Sequence, residues 1–215
     1  VFMRDHFLCN NKKDIVICNM KLTERMNEGE FVISELEKLK YNISFLDNGC
    51  IAEGGEFFYL PNENMLLAGQ GRNNLKGAEQ MAEKLKVSNL FIISSSGYHL
   101  DTSISPIFDN NHDCIGIICA REVFNNNEIN NLRSICISNQ WELIEIEHQN
   151  ISSSLSFRTA MNALTLPGLF IGSKKLNQKP ISEFALSNGI IFDSTEVSQF
   201  NLSGGSVHCL TNELF

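Results

Sequence analysis

No apolar run approaches the length of a membrane span, and no signal peptide is visible, so nothing here reads as a membrane segment. There is no CxxC pair, which removes zinc knuckles and thioredoxin-type redox motifs. A basic excess is missing too. Seventeen Lys and Arg stand against 25 Asp and Glu, a formal net charge of -8, opposite in sign to a nucleic-acid footprint. An acidic pocket for a small cation stays open. No Pro- or Ser-rich linker divides the chain, although Ser152-Ser153-Ser154 reads as one exposed loop. Nor is there a metal-ligand pattern, because His99 and Asp101 lack a third and fourth donor at useful spacing. No cofactor is implied.

What is present is an ordinary globular composition of 215 residues, 43% hydrophobic and 20% charged. That is ample for one domain with a sizeable core. Seven cysteines, most in apolar runs such as Ile15-Val16-Ile17-Cys18, read as core thiols in a reducing, cytoplasmic compartment. The chain opens at Val1, inside what reads as a motif. Further residues are therefore expected upstream.

A repeat of about fifty residues organises the rest. Each unit reads as polar motif, strand, turn, strand, helix, strand. The first has Arg4-Asp5, a turn at Asn10-Asn11-Lys12-Lys13, a β-rich run from Asp14 to Met20, and a helix capped by Thr23. Met26, Phe31, Val32, Leu36 and Leu39 recur there at helical spacing. The second opens at Glu53, with strands Phe57 to Leu60 and Met65 to Ala68 and a helix bearing Leu75, Ala78, Met81, Ala82 and Leu85. The third opens at His99 and Asp101, continues with Cys114 to Ala120, and has a helix over about Glu128 to Ile135. Asn125-Asn126-Asn127 reads as a loop insertion. The fourth opens near Met161-Asn162, turns at Pro167-Gly168, and starts a helix at Pro180. Cys209 follows Gly204-Gly205 in a short apolar strand, where a fifth motif would begin.

In a ring of like units, equivalent positions converge on the axis. Asp5, Glu53, His99, Asp101, Asn162 and Cys209 would then share one cavity; otherwise they are unrelated polar residues at strand edges. Cys209 alone reads as a buried structural thiol or as a nucleophile brought close by the glycines. Buried carboxylates need a cation. A guanidinium, with five N–H donors in a fixed fork, suits two or three of them. Arg25 and Arg72 follow their motifs at nearly the same distance, as a joint clamp for an anionic tail or as solvated helix-start arginines.

Phe2-Met3-Arg4-Asp5, Glu53-Gly54-Gly55, His99-Leu100-Asp101-Thr102 and the stretch from Gly204 to Thr211 resemble a known series of motifs. They match, in order, the F-x-R-D, E-G-G-D, H-L-D-T and G-G-x-x-x-C-x-T of the pentein-fold guanidino-group-modifying enzymes. That superfamily includes arginine deiminases, dimethylarginine dimethylaminohydrolases and glycine amidinotransferases. The resemblance implies an α/β fold, a five-fold pseudosymmetric propeller of ββαβ units forming one catalytic domain over residues 1–215, with part of the first unit missing at the N-terminus. It implies Cys209 as nucleophile, His99 as acid and then base, Glu53 orienting His99, and Asp5 and Asp101 holding guanidinium nitrogens. Arg25 and Arg72 would clamp an α-carboxylate, and Asn162 would be a binding-site amide. Glu56 departs from the usual aspartate, which affects substrate fit nearby. His208, next to the nucleophile on a strand, is expected to face away from it.

The implied partner is a small arginine-like molecule, with no nucleic acid and no membrane; a homo-oligomer is compatible. Asp101 tilts the implied activity toward an arginine deiminase. The alternatives are an amidinotransferase, a dimethylargininase, and a non-catalytic binding protein of the same fold.

Overall fold

In the computed structural model the described residues are 2–147, 161–173 and 179–215. Ser152-Ser153-Ser154 lies outside them.

Short apolar runs, most of them buried on both faces, form four three-stranded sheets of one pattern. In each, an antiparallel hairpin is followed by a helix and a third strand that pairs parallel to the second. The first unit is β1 (Phe7–Cys9), β2 (Asp14–Ile17), α1 (Glu30–Lys38) and β3 (Asn42–Phe45). Next come β4 (Phe57–Leu60), β5 (Met65–Gly69), α2 (Leu75–Lys84) and β6 (Asn89–Ile93). The third unit is β7 (Ile104–Phe108), β8 (Cys114–Ala120), α3 (Asn126–Asn139) and β9 (Glu142–Ile146). The fourth is β10 (Leu164–Leu166), β11 (Leu169–Ser173), α4 (Lys179–Ser187) and β12 (Ile191–Thr195). The ββαβ repeat expected from the sequence is therefore the architecture.

Alternation also explains how the units join. Successive residues of a strand face opposite sides, so one strand feeds two cores. Leu66 packs with Leu8 and Val16 of the first unit, while Leu67 packs with Ile104 and Ile117 of the third. Ile118 then faces Phe170 and Phe184 of the fourth. Burying a side chain of this size contributes about 1.5–3 kcal/mol, so each interface between units is held by its own apolar layer.

Several expectations need correction. Thr23 does not cap α1; it begins a separate 3-10 turn, Thr23–Arg25, and Gly29 stands at the helix N-cap. Phe31 is 83% exposed and Leu39 52%, so only Val32 and Leu36 form the buried stripe of α1. Asn125 is no insertion. Its side chain accepts from the N–H groups of Asn127 and Glu128, and Glu128 bonds back to the Asn125 N–H, a reciprocal cap for α3. The residues around Cys209 form a short helix, Val207–Leu210, rather than a strand.

All seven cysteines are buried free thiols. Among the described residues, no helix is long and apolar enough to cross a membrane.

Candidate active site

Four short turns, each at the opening of a repeat, carry the site. Asp5 lies in the turn Met3–His6, Glu53 precedes the turn Gly54–Glu56, His99 precedes Leu100–Thr102, and Cys209 sits in Val207–Leu210. The sequence closes these turns locally. Thr102 Oγ1 donates to the His99 carbonyl at 2.8 Å, and the Gly55 N–H donates to Asp5 Oδ1 at 3.1 Å. A Cβ at Gly55 would stand 2.6 Å from His99 Nδ1 and 2.8 Å from Asp5 Oδ1. Only glycine lets the backbone pass that close. Gly204, at φ +87°, makes the bend that leads to the cysteine.

His99 Nε2–H donates to Glu53 Oε2 at 2.8 Å, and its Nδ1 lies 3.6 Å from Asp5 Oδ1. Burial opposes charge on this imidazole. The Glu53 hydrogen bond and the charges of Asp5, Asp101 and Glu56 outweigh it and lift the pKa to about 9. His99 is thus an imidazolium at neutral pH. Burial likewise works against the Glu53 carboxylate, but His99 and the Lys21 N–H (2.9 Å) hold its pKa below the usual range.

Cys209 Sγ lies 3.6 Å from Asp101 Oδ2. Burial, with the charges of Asp101 and Asp5, raises the thiol well above its ordinary pKa, so the resting sulfur is protonated. Asn162 fixes the Cys209 backbone: its Oδ1 accepts the Cys209 N–H at 2.9 Å, and its Nδ2 donates to the Asp101 carbonyl at 3.3 Å. This amide, expected to bind substrate, has its polar atoms on the backbone of the site itself.

The two arginines part company. Arg25 Nη2 donates to Asp5 Oδ2 at 3.0 Å and to Glu28 Oε2 at 2.8 Å, while its Nη1 is 3.6 Å from Glu53 Oε2. The carboxylates of the site thus already engage a guanidinium, the protein's own. Arg72 instead lies over the Tyr98 ring, 4.3 Å from its centroid, with its backbone N–H on Glu56. Among the described residues no hydrogen bond or ion pair joins both arginines to one group, although the charge of each reaches Glu53. Glu56 is buried, and its second oxygen accepts the Leu100 N–H at 2.9 Å. Its extra methylene is taken up by backbone contacts behind the site.

A cavity of about 310 Å³ is lined by Asp5, Arg25, Tyr98, His99, Thr102 and Cys209, with 201–205 as one wall. A larger cavity of about 460 Å³, walled by Tyr59, Phe108 and the tail Asn212–Phe215, contains none of Asp5, His99 or Cys209. Chemistry therefore points to the smaller one. Spacing gave no sign that Asp5, Glu53 and His99 place donor atoms within 4.8 Å of one another. That cluster lies against the Arg25 guanidinium.

Sequence reading missed three participants. Glu28, at i+3 from Arg25, was visible as a helical ion-pair spacing. Glu213 pairs with Arg4 across the chain and left no local signal. His208 does not face away: in a helical turn rather than a strand, its Nδ1–H donates to Asp101 Oδ2 at 2.9 Å.

Fold and site together define a member of the pentein-fold guanidino-group-modifying superfamily. The chain belongs to its eukaryotic N,N-dimethylarginine dimethylhydrolase family, whose sequence profile matches residues 1–215. Among solved structures it is similar to the N-terminal domain of ArgZ carrying a covalently bound reaction intermediate. That match has 20% identity over 98% of this chain and 74% of that one, with a TM-score of 0.80. The same domain bound to product, from the cyanobacterial arginine dihydrolase, matches at 20% identity over 98% and 75% of the two chains, TM-score 0.79. A variant of the Pseudomonas aeruginosa DDAH in complex with citrulline matches at 18% identity over 100% and 76%, TM-score 0.75. At these identities the likeness carries the fold. Comparison with curated proteins gives no match.

Proposed function

We propose that the protein hydrolyses the guanidinium of arginine or a close analogue through a covalent adduct on Cys209. The observation that carries this is a thiol 3.6 Å from a carboxylate oxygen, in a cavity also walled by the imidazolium of His99 and by Asp5. Arg25, bonded to Asp5 and close to Glu53, indicates what cation those carboxylates accept.

In this mechanism the arriving guanidinium favours the Cys209 thiolate, whose proton leaves to solvent. Sulfur attacks the guanidinium carbon while a C–N bond breaks, and His99 gives its proton to the departing nitrogen. The S-amidino adduct remains. His99, now neutral, takes a proton from water; the resulting hydroxide adds to the adduct carbon, and the C–S bond breaks, the departing Cys209 sulfur taking up the hydroxyl proton as the ureido product is freed. Asp5 and Asp101 hold the cation, and Glu53 fixes the His99 ring. The remainder of the substrate falls toward Tyr98, which lines this cavity and, together with Arg72, a second one beside it.

The unsubstituted guanidinium is favoured by Asp101, a carboxylate beside the sulfur that suits an N–H donor. Family membership supports a second reading, in which the departing nitrogen carries two methyl groups. Product analysis separates them. With L-arginine, citrulline and ammonia are expected; dimethylamine from asymmetric dimethylarginine, with arginine inert, would replace the first reading by the second. Ornithine formed only when an amine acceptor is added would make the protein an amidinotransferase. No product from any of these substrates would leave a binding protein.

A further inference from the structure

His208 has no part in the chemistry above, yet it is 1% exposed and touches Asp101 directly. Its surroundings form a line of charged groups through three motifs, buried except at the half-buried Glu213. Arg4, of the first motif, pairs with Glu213. Glu213 Oε1 lies 3.6 Å from His208 Nε2, and His208 Nδ1 lies 2.9 Å from Asp101 Oδ2. That same Oδ2 is the oxygen 3.6 Å from Cys209 Sγ. Phe58 stacks on the imidazole with centroids 5.0 Å apart. The other Asp101 oxygen, Oδ1, is buried and has no hydrogen-bond partner among the described residues.

We propose that His208 is a positioning residue for the guanidine reaction, an uncharged donor that fixes Asp101 through Oδ2 and keeps Oδ1 available for a substrate N–H. This rests on the hydrolase reading above. The physical point is charge. A cationic partner would orient Asp101 equally well but would cancel the negative charge that a guanidinium needs. A neutral imidazole orients the carboxylate and leaves that charge in place. The groups facing the ring are Asp101, Arg4 and Glu213, with Cys209 adjacent in sequence. Burial and the Arg4 charge lower the His208 pKa to about 4 against the pull of Asp101, in agreement with the geometry.

Two variants separate positioning from packing. His208→Asn retains an N–H near the Nδ1 position, whereas His208→Leu fills the space without a donor. In the full chain, kcat/KM for the guanidine substrate should stay within about threefold for His208→Asn. His208→Leu should lower it by about 10- to 100-fold, in KM as well as kcat, because Asp101 grips the substrate before and during attack. Equal losses in both variants, or none in either, would overturn the proposal. Long-range ¹H–¹⁵N spectra of the side chain provide a readout independent of turnover and of whether the leucine variant folds. A neutral Nδ1–H tautomer is expected at pH 7, and an Nε2–H tautomer or an imidazolium would overturn the idea. Should the wild-type chain turn over no guanidine, the hydrolase reading fails, while the tautomer still decides whether His208 serves Asp101 as a neutral donor.

Discussion

His99 and His208 are buried to almost the same degree, 2% and 1% exposed, and both feel Asp101, yet they end in opposite states. His99 is lifted to about 9 by Glu53 and three further carboxylates. His208 is lowered to about 4, because burial and Arg4 together outweigh the one carboxylate that touches it. Burial penalises both rings alike; the count and sign of nearby charges decide. One region of the site thereby holds a proton donor, and the other holds a hydrogen-bond donor that stays uncharged. Adjacency to Cys209 in sequence carries no information about which is which.

The largest effects should come from the charged side of this pair. Cys209→Ala should abolish product formation, and His99→Gln should lower kcat by about 10²- to 10⁴-fold. The contrast with His208→Asn is the point. If that change proved as costly as His99→Gln in a steady-state assay, the two histidines would share one role and the distinction would fall.

Asp101, which both rings feel, offers the next test. Burial is the main cause of the raised Cys209 thiol and remains in Asp101→Asn, which removes the next, the Asp101 charge. The pH midpoint for alkylation of Cys209 by iodoacetamide should therefore move down. Turnover of the cationic substrate should fall by roughly 100-fold at the same time. A more ionised sulfur that is nevertheless a poorer enzyme would show that Asp101 acts on the substrate. An unmoved midpoint would show that its charge does not reach the thiol.

The pair should also shape stability against pH, with opposite signs. A free histidine titrates near 6.5. His99, about 9 when folded, binds its proton more tightly in the native state. Its contribution is complete below about 6.5 and is lost as pH rises through about 9. His208, about 4 when folded, does the reverse: its contribution is present above about 6.5 and is lost as pH falls through about 4. In Tm measured across pH, His99→Gln should flatten the alkaline limb and His208→Asn the acid limb. One variant flattening both limbs would mean that the rings titrate as a single coupled unit.

Much of this was legible in the sequence, for identifiable reasons. Strands such as Met65–Gly69 and Cys114–Ala120 were readable because they are short apolar runs bounded by turn residues. The motif order delivered Asp5, Glu53, His99, Asp101 and Cys209 to neighbouring turns. The His208 contact was hidden because Val207-His208-Cys209-Leu210 carries no helical signal of its own. That turn is anchored by Asn162, whose main-chain carbonyl accepts the His208 N–H at 3.3 Å and whose side chain holds the Cys209 N–H. A strand assignment there inverted the side-chain directions. Arg25 misled for a related reason: its carboxylate partners Asp5 and Glu53 lie 20 and 28 residues away, and only Glu28 was near enough to notice. The Asn125 cap, by contrast, was on display as asparagine followed three residues later by glutamate.

The smallest expected effect concerns the rings beside the two histidines. Phe58 is 4% exposed and stacked on His208, while Tyr98 is 50% exposed and tilted against His99 at 4.7 Å between centroids. Phe58→Leu should remove about 0.5–1.5 kcal/mol of ring contact beyond its area term, which lowers Tm by a few degrees in a chain of this size. It leaves the Asp101–His208 hydrogen bond intact, so KM should hold within about twofold. Tyr98→Leu should cost little stability, since half of that ring already faces solvent. It lines the cavity and carries the Arg72 guanidinium over its face, so KM should rise instead. The two changes are similar in chemistry, and they should divide cleanly between stability and substrate binding. A KM that rose with Phe58→Leu would mean that stacking, rather than Asp101, holds the His208 ring in place.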